Sequence, residues 1–231
     1  MKKQITLWMA VIMLFGTITM FAQKPFAGTI VFEYTAVGTD DPNINSQLAQ
    51  LKNELTIMGN CTKTVADMGI SVTNITNGDY KFTTTIYDIP GYGKYYIEQD
   101  EKEITEAFGK SDIKIEYAGE TKTICDYNCK KVNVSVTDKE TDEVTTIVLW
   151  VTEDLLVGEN LNFDKYPGLK GVPLCTEITT DQTGEEITIV CTATSVTPNK
   201  KIKSTNFLRP SDSTPLKDAP EDIKKALGYE E

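Results

Sequence analysis

Histidine is missing from all 231 residues. With it go the commonest general base, the commonest zinc ligand and every Ser-His or Cys-His nucleophile pairing. Positive charge is also short: 23 Lys and Arg stand against 34 Asp and Glu, for a formal net charge of −11. No basic patch is interleaved with aromatics, so nucleic acid is not an expected partner. There are only five cysteines and two tryptophans. Beyond the N-terminus no leader-sized apolar run occurs, so the rest of the chain is not expected to insert stably in a membrane. The chain also has no repeat, low-complexity tract or composition break that would divide it.

The one long apolar run, residues 5–21, follows Met1-Lys2-Lys3 and ends at Ala22-Gln23-Lys24. A short basic start, an apolar middle and a small residue before a polar junction read as a secretory signal peptide over residues 1–22, cut after Ala22 or Gln23. The competing reading is a retained anchor, for which the run is near the lower length limit. No cysteine lies close enough to the junction to carry a lipid. Residues 23–231 then form a single β-rich domain ending in a short helix, and the address is periplasmic or secreted.

Export places Cys61, Cys125, Cys129, Cys175 and Cys191 in an oxidising compartment, where disulfides persist. Cys125 and Cys129 flank Asp126-Tyr127-Asn128, a stretch that suits a tight hairpin loop and would bring the sulfurs onto neighbouring strand ends. A bridge between them is expected. Their Cys-x3-Cys spacing departs from the redox Cys-x-x-Cys. Cys175 and Cys191 sit on two runs separated by Asp181-Gln182-Thr183-Gly184. A loop of odd length would oppose them and allow a bridge, while a four-residue loop turns Cys175 to the other face. We expect the bridge, with register as the deciding factor. Cys61 is left over as a small buried side chain.

The mature chain alternates in strand period. Ile30, Phe32 and Tyr34 share a face against Thr29, Val31 and Glu33. Asn77-Gly78 reads as a two-residue hairpin turn leading into Tyr80 to Tyr87. Ile113, Ile115 and Tyr117 alternate with Lys114 and Glu116. Val132, Val134 and Val136 repeat the device, and their partner over residues 147–151 is apolar on both faces, so it should lie centrally, with residues 138–142 as the solvated turn. A helix is expected over residues 101–108, with Ile104, Ala107 and Phe108 on one side. Another follows Ala219-Pro220, with Ile223 and Leu227 facing something to cover. Asp41-x-Asn43-x-Asn45 resembles the start of a calcium loop, but Ser46 replaces the glycine and Lys52 the terminal glutamate, so it reads as an Asx turn. Gly91-x-Gly93 lacks the rest of a phosphate loop. No metal or cofactor is expected. About ten strands with few helices give an antiparallel sheet that must close, double or curl to hide its apolar face.

The stretch Glu120-Thr121-Lys122-Thr123-Ile124, followed by Tyr127-Asn128-Cys129-Lys130-Lys131, resembles the E-T-K-x-I-x-G-Y-x-C-K-K signature of envelope proteins of unknown function in Gram-negative bacteria. Trp150-Val151-Thr152, Gly168-Leu169-Lys170-Gly171-Val172 and Phe207-x-x-Pro210 fall in the order of that family's later elements. The match covers residues 120–210. Asp126 and Asn128 make the hairpin more polar than the pattern, and Lys170 replaces its proline. The resemblance implies a mainly β fold similar to the lipoprotein carriers: a curved antiparallel sheet forming an incomplete barrel, with a helical lid. It implies no catalytic residue.

Taken together, these readings describe an exported non-enzyme that binds a hydrophobic ligand, lipid or lipidated protein inside a curved sheet. Ile30, Phe32, Tyr34, Phe82, Ile86 and Trp150 are the candidate apolar lining. The alternative is an interaction module of the cell envelope with a filled core. Paired acids at Asp100, Glu101 and Glu103 or Glu153 and Asp154 read as solvated loop residues and not as a catalytic pair.

Overall fold

The computed structural model describes residues 25–229 apart from Asp40, Met68, Thr183 and Gly184, so the expected leader lies outside the described residues. Twelve strands join one sheet. A first antiparallel meander comprises β1 (Ala27–Val37), β2 (Lys52–Met58), β3 (Cys61–Asp67), β4 (Ser71–Asn77), β5 (Phe82–Ile89) and β6 (Gly93–Gln99). A second comprises β7 (Ser111–Ile124), β8 (Tyr127–Asp138), β9 (Val144–Thr152), β10 (Val172–Gln182) and β11 (Glu185–Pro198). The meanders fuse where β1 pairs antiparallel with β11, which puts the first strand in the middle of the sheet. At one edge a short β12 (Ser213–Pro215) runs parallel to β6, and β7 forms the other edge. The result is the expected curved sheet of lipoprotein-carrier type, an unclosed barrel, with three short α-helices among the described residues, α1 (Pro42–Leu48), α2 (Glu101–Gly109) and α3 (Glu221–Ala226).

A sheet this wide does not stay flat. Register shifts at Val31/Phe32, at Pro173/Cys175 and between Tyr117 and Thr121 add to the bend, because a bulge kinks its strand and increases local twist. Strand alternation then sorts side chains onto two faces.

On the inner face, Val132 and Val134 oppose Leu149 and Ile147 across the β8–β9 ladder. With Val151 and Leu169 they form one core cluster, against which Ile113, Ile115 and Tyr166 pack. A larger cluster joins Ile30, Phe32, Ile57, Ile124, Leu155, Leu161, Val172 and Leu174.

Local signals explain the helices. Asp100 caps α2 by accepting from Glu103 N, while Glu103 Oε2 accepts from Asp100 N, a reciprocal capping box. Asp41 accepts from Asn43 N and caps α1, with Pro42 opening the helix, so the Asx geometry read from the sequence serves as a helix start.

The Asn77-Gly78 hairpin forms, but with a longer loop than two residues, since Asn77 pairs with Phe82. Asn77 Oδ1 accepts from both Asp79 N and Tyr80 N and thereby holds a wider turn. Gly78 is pressed against the neighbouring loop: a Cβ there would meet Asn160 O at 2.4 Å.

The C-terminal segment wraps the β6 edge. Phe207 packs with Ile75 and Ile86 on the outer face, and Arg209 stacks 3.9 Å from the Tyr96 ring centroid. After β12 the chain crosses to the inner face, where Leu216, Ala219 and Ile223 cover Tyr95, Tyr87 and Ile97.

Candidate functional site

The connection from β9 to β10, residues 153–171, lies as a strap across the inner face. It is tied down along its length. Phe26 N donates to Leu156 O, Gly158 N to Gly59 O and Asn160 N to Asn60 Oδ1, while Leu155, Leu161 and Leu169 are buried. Asn162 Nδ2 donates to Leu169 O at 3.1 Å and Gly171 O at 2.9 Å, closing the end of the strap on itself. Gly171 has φ +83 and no room for a side chain, because a Cβ would lie 2.3 Å from Thr152 O. The Gly168-Leu169-Lys170-Gly171 motif therefore anchors the strap. In the middle, Thr76 Oγ1 donates to Asp164 Oδ2 at 2.9 Å and holds the strap to the sheet.

Between strap and sheet lies a hollow of about 210 Å³. Phe32, Leu55, Leu161, Tyr166 and Val172 form its apolar walls, and Asn53, Thr62, Thr64 and Thr176 add hydroxyl and amide groups. Asn53 Nδ2 donates to Tyr34 OH at 2.8 Å, while Asn53 Oδ1 is buried without a hydrogen-bond partner. Burial above all pushes the Tyr34 hydroxyl up to about 12.

Of the six residues expected to line a hollow, Phe32 does so. Ile30 is fully buried in the main core beside it, and Tyr34 reaches the hollow's edge through Asn53. Ile86 lies on the outer face under Phe207, and Phe82 follows the same parity on β5. Trp150 also faces outward, since it pairs with Cys175 and Lys131 and not with the residues under the strap. The missed wall residues, Asn53, Thr62, Thr64 and Thr176, are polar. Their period-two spacing looks like a solvated strand face until the strap is placed over it.

Trp150 packs against the larger core cluster and also takes part in a charged cluster. Its Nε1 donates to Glu177 Oε1 at 2.7 Å, and Lys122 Nζ sits 4.2 Å from the ring centroid and 3.3 Å from the same carboxylate oxygen. Lys122 comes from the β7–β8 hairpin, whose tip curls over β10 and β11 and brings Cys125 Sγ to Ala193 O.

All five cysteines are free thiols, so the two expected bridges are corrected. The β7–β8 turn is only Cys125-Asp126, both with positive φ, and Cys129 consequently opposes Lys122. Cys175 pairs with Thr192 and Cys191 with Thr176, so the two thiols lie one register step apart on opposite faces. Burial raises Cys129 and Cys191 to about 11 and also pushes Cys61 and Cys125 up, which keeps these four thiols protonated and unreactive at neutral pH. Cys61 is a small core side chain beside Ile75 and Ile86.

The paired acids have structural partners. Asp100 and Glu103 cap α2, Glu101 pairs with Lys81, Glu153 with Lys130 at 2.9 Å, and Asp154 accepts from Asn128 N.

No protein-family model matches the chain, and no curated protein does. Among solved structures, PNGF-II in its P21 space group aligns with 88% of this chain and 33% of that chain at 18% identity and a TM-score of 0.54. The C2 form of PNGF-II aligns over the same shares at 17% identity and a TM-score of 0.54. The chain thus spans about a third of PNGF-II, and the likeness is one of fold alone. MucB aligns at 12% identity over 82% of this chain and 58% of that chain, with a TM-score of 0.28, too low to carry an argument. Among the described residues no helix is long and apolar enough to cross a membrane.

Proposed function

We propose that the protein is an exported, non-catalytic binding module, periplasmic or secreted, that holds a small hydrophobic molecule between the strap and the inner face of its sheet. The observation that carries this reading is the hollow of about 210 Å³ walled by Phe32, Leu55, Leu161, Tyr166 and Val172. A sheet that bends around a strap, and does not pair with a second sheet, leaves room for a guest. The size limits that guest. Pockets for drug-sized ligands run to about 300–1,000 Å³, so the module takes a single chain or ring and not the several acyl chains of a lipoprotein anchor. Non-catalysis rests on the absence of histidine and on the structural partners of the acid clusters at residues 100–103 and 153–154.

The test is organic extraction of protein purified after export, followed by lipid mass spectrometry and titration with a fluorescent fatty acid. A bound amphiphile, and affinity weakened at least several-fold by Phe32→Ser, are expected. An empty extract together with no fatty-acid affinity would leave the other class, an interaction module of the envelope.

A further inference from the structure

A second hollow of about 250 Å³ adjoins the first, and Asp164 and Lys165 border both. Its floor is Asn74, Thr76, Thr83, Thr85 and Gln99 from β4, β5 and β6, and Ile104, Ala107 and Phe108 of α2 form the wall. Cross-strand pairing places Asn74 opposite Thr85, Thr76 opposite Thr83 and Thr83 opposite Gln99, so the polar groups form one continuous patch.

The patch is uncharged, and much of its hydrogen-bonding capacity is unspent. Thr85 Oγ1 donates to Asn74 Oδ1 at 2.7 Å and Thr76 is taken up by Asp164, whereas the Thr83 and Gln99 side chains bond to no described residue. On the strap side Thr62 and Thr64 are likewise unbonded, and Asn53 Oδ1 is a buried orphan acceptor.

Hydroxyls and amides that both donate and accept are matched by groups that do the same. A purely apolar guest would strip water from them and return nothing. Asp164 and Lys165 carry opposite charges at the boundary, so the site offers no net charge to select an anion or a cation.

We infer that the trough accepts a neutral, polyhydroxylated headgroup of one ring, while the apolar part of the same ligand lies under the strap. This inference rests on the reading above and names the ligand class for it, a neutral glycosylated amphiphile.

The experiment is calorimetric titration of the mature protein with n-octyl-β-D-glucopyranoside below its micelle-forming concentration, with 1-octanol as the chain-only probe. Octyl glucoside should bind about ten-fold tighter than octanol, the increment of roughly one added hydrogen bond. Thr83→Val and Gln99→Ala, both at accessible positions, should erase that advantage and leave octanol affinity unchanged. Equal affinity for the two probes would overturn the headgroup site and spare the apolar hollow. A glucoside advantage that survives both substitutions would overturn its placement on this patch. Binding of neither probe would overturn the hollow as well.

Discussion

Trp150 and Glu177, on neighbouring strands β9 and β10, are joined by an indole N–H to carboxylate hydrogen bond of 2.7 Å. Lys122 reaches the same oxygen from the far hairpin at 3.3 Å and lies over the indole ring. One carboxylate therefore links three strands and fixes the curl of the β7–β8 tip. Glu177→Ala should lower stability by about 1–2 kcal/mol, the value of a hydrogen bond to a charged group at a half-exposed site. Among the described residues Trp150 is the only indole. Emission should shift to the red in the folded variant, and an unchanged spectrum would break the link.

Leu149 is fully buried in the cluster with Val132, Val134 and Leu169. Leu149→Ala should cost about 2–5 kcal/mol through lost burial and the cavity left behind. The urea midpoint falls accordingly while the slope of the transition stays as in the parent.

Asp164 holds the middle of the strap through Thr76, which is 3% exposed. In Asp164→Ala the Thr76 hydroxyl loses its acceptor, at a cost of about 1–3 kcal/mol. Hydrogen exchange should accelerate in residues 159–167 and remain slow in β8 and β9. Uniform acceleration across the sheet would mean that the strap is part of the global core and not a separately opening element.

Burial holds the thiols of Cys129 and Cys191 at about 11 against an ordinary 9.0, and the Tyr34 hydroxyl at about 12 against 10.0. As pH rises the unfolded chain loses these protons first, so the stability they contribute is complete below pH 9 and is lost as pH climbs through about 11. Denaturation midpoints should fall across that window, and Cys191→Ala should flatten the fall. In the same pH series, alkylation of the native protein should be slow at neutral pH. Unfolding without reductant should expose all five thiols, the number free in the structure.

Local rules made much of this architecture legible in the sequence. The alternation of Val132, Val134 and Val136 named its own face and partner, because a period of two is fixed by the pleat. Ile104, Ala107 and Phe108, sharing one side, announced α2, and Ile223 the face with which α3 docks, whereas the Asp100 and Glu103 capping box was read only as solvated loop acids. Pairing of cysteines was not legible, because it turns on loop length: a two-residue Cys125-Asp126 turn in place of three residues rotates Cys129 away from its neighbour.

The site was less readable still. Apolar character on Ile86 and Trp150 says that each is covered, but not from which side; the distant segments that cover them decide that, Phe207 for Ile86 and the β7–β8 hairpin for Trp150. The wall residues Thr62, Thr64, Asn74, Thr83 and Thr85 carry the one signal that was available: the same polar parity on three successive strands. Only the strap, arriving from nearly a hundred positions away in sequence, turns that stripe into the inside of a hollow.

The pairing of β1 with β11 has a consequence for how such a chain comes into being. Ile30 must wait for Val196, so β1 stays half-satisfied until most of the described chain has been made. Assembly is thus expected to be slow and late, with a bare edge open to holding factors during synthesis.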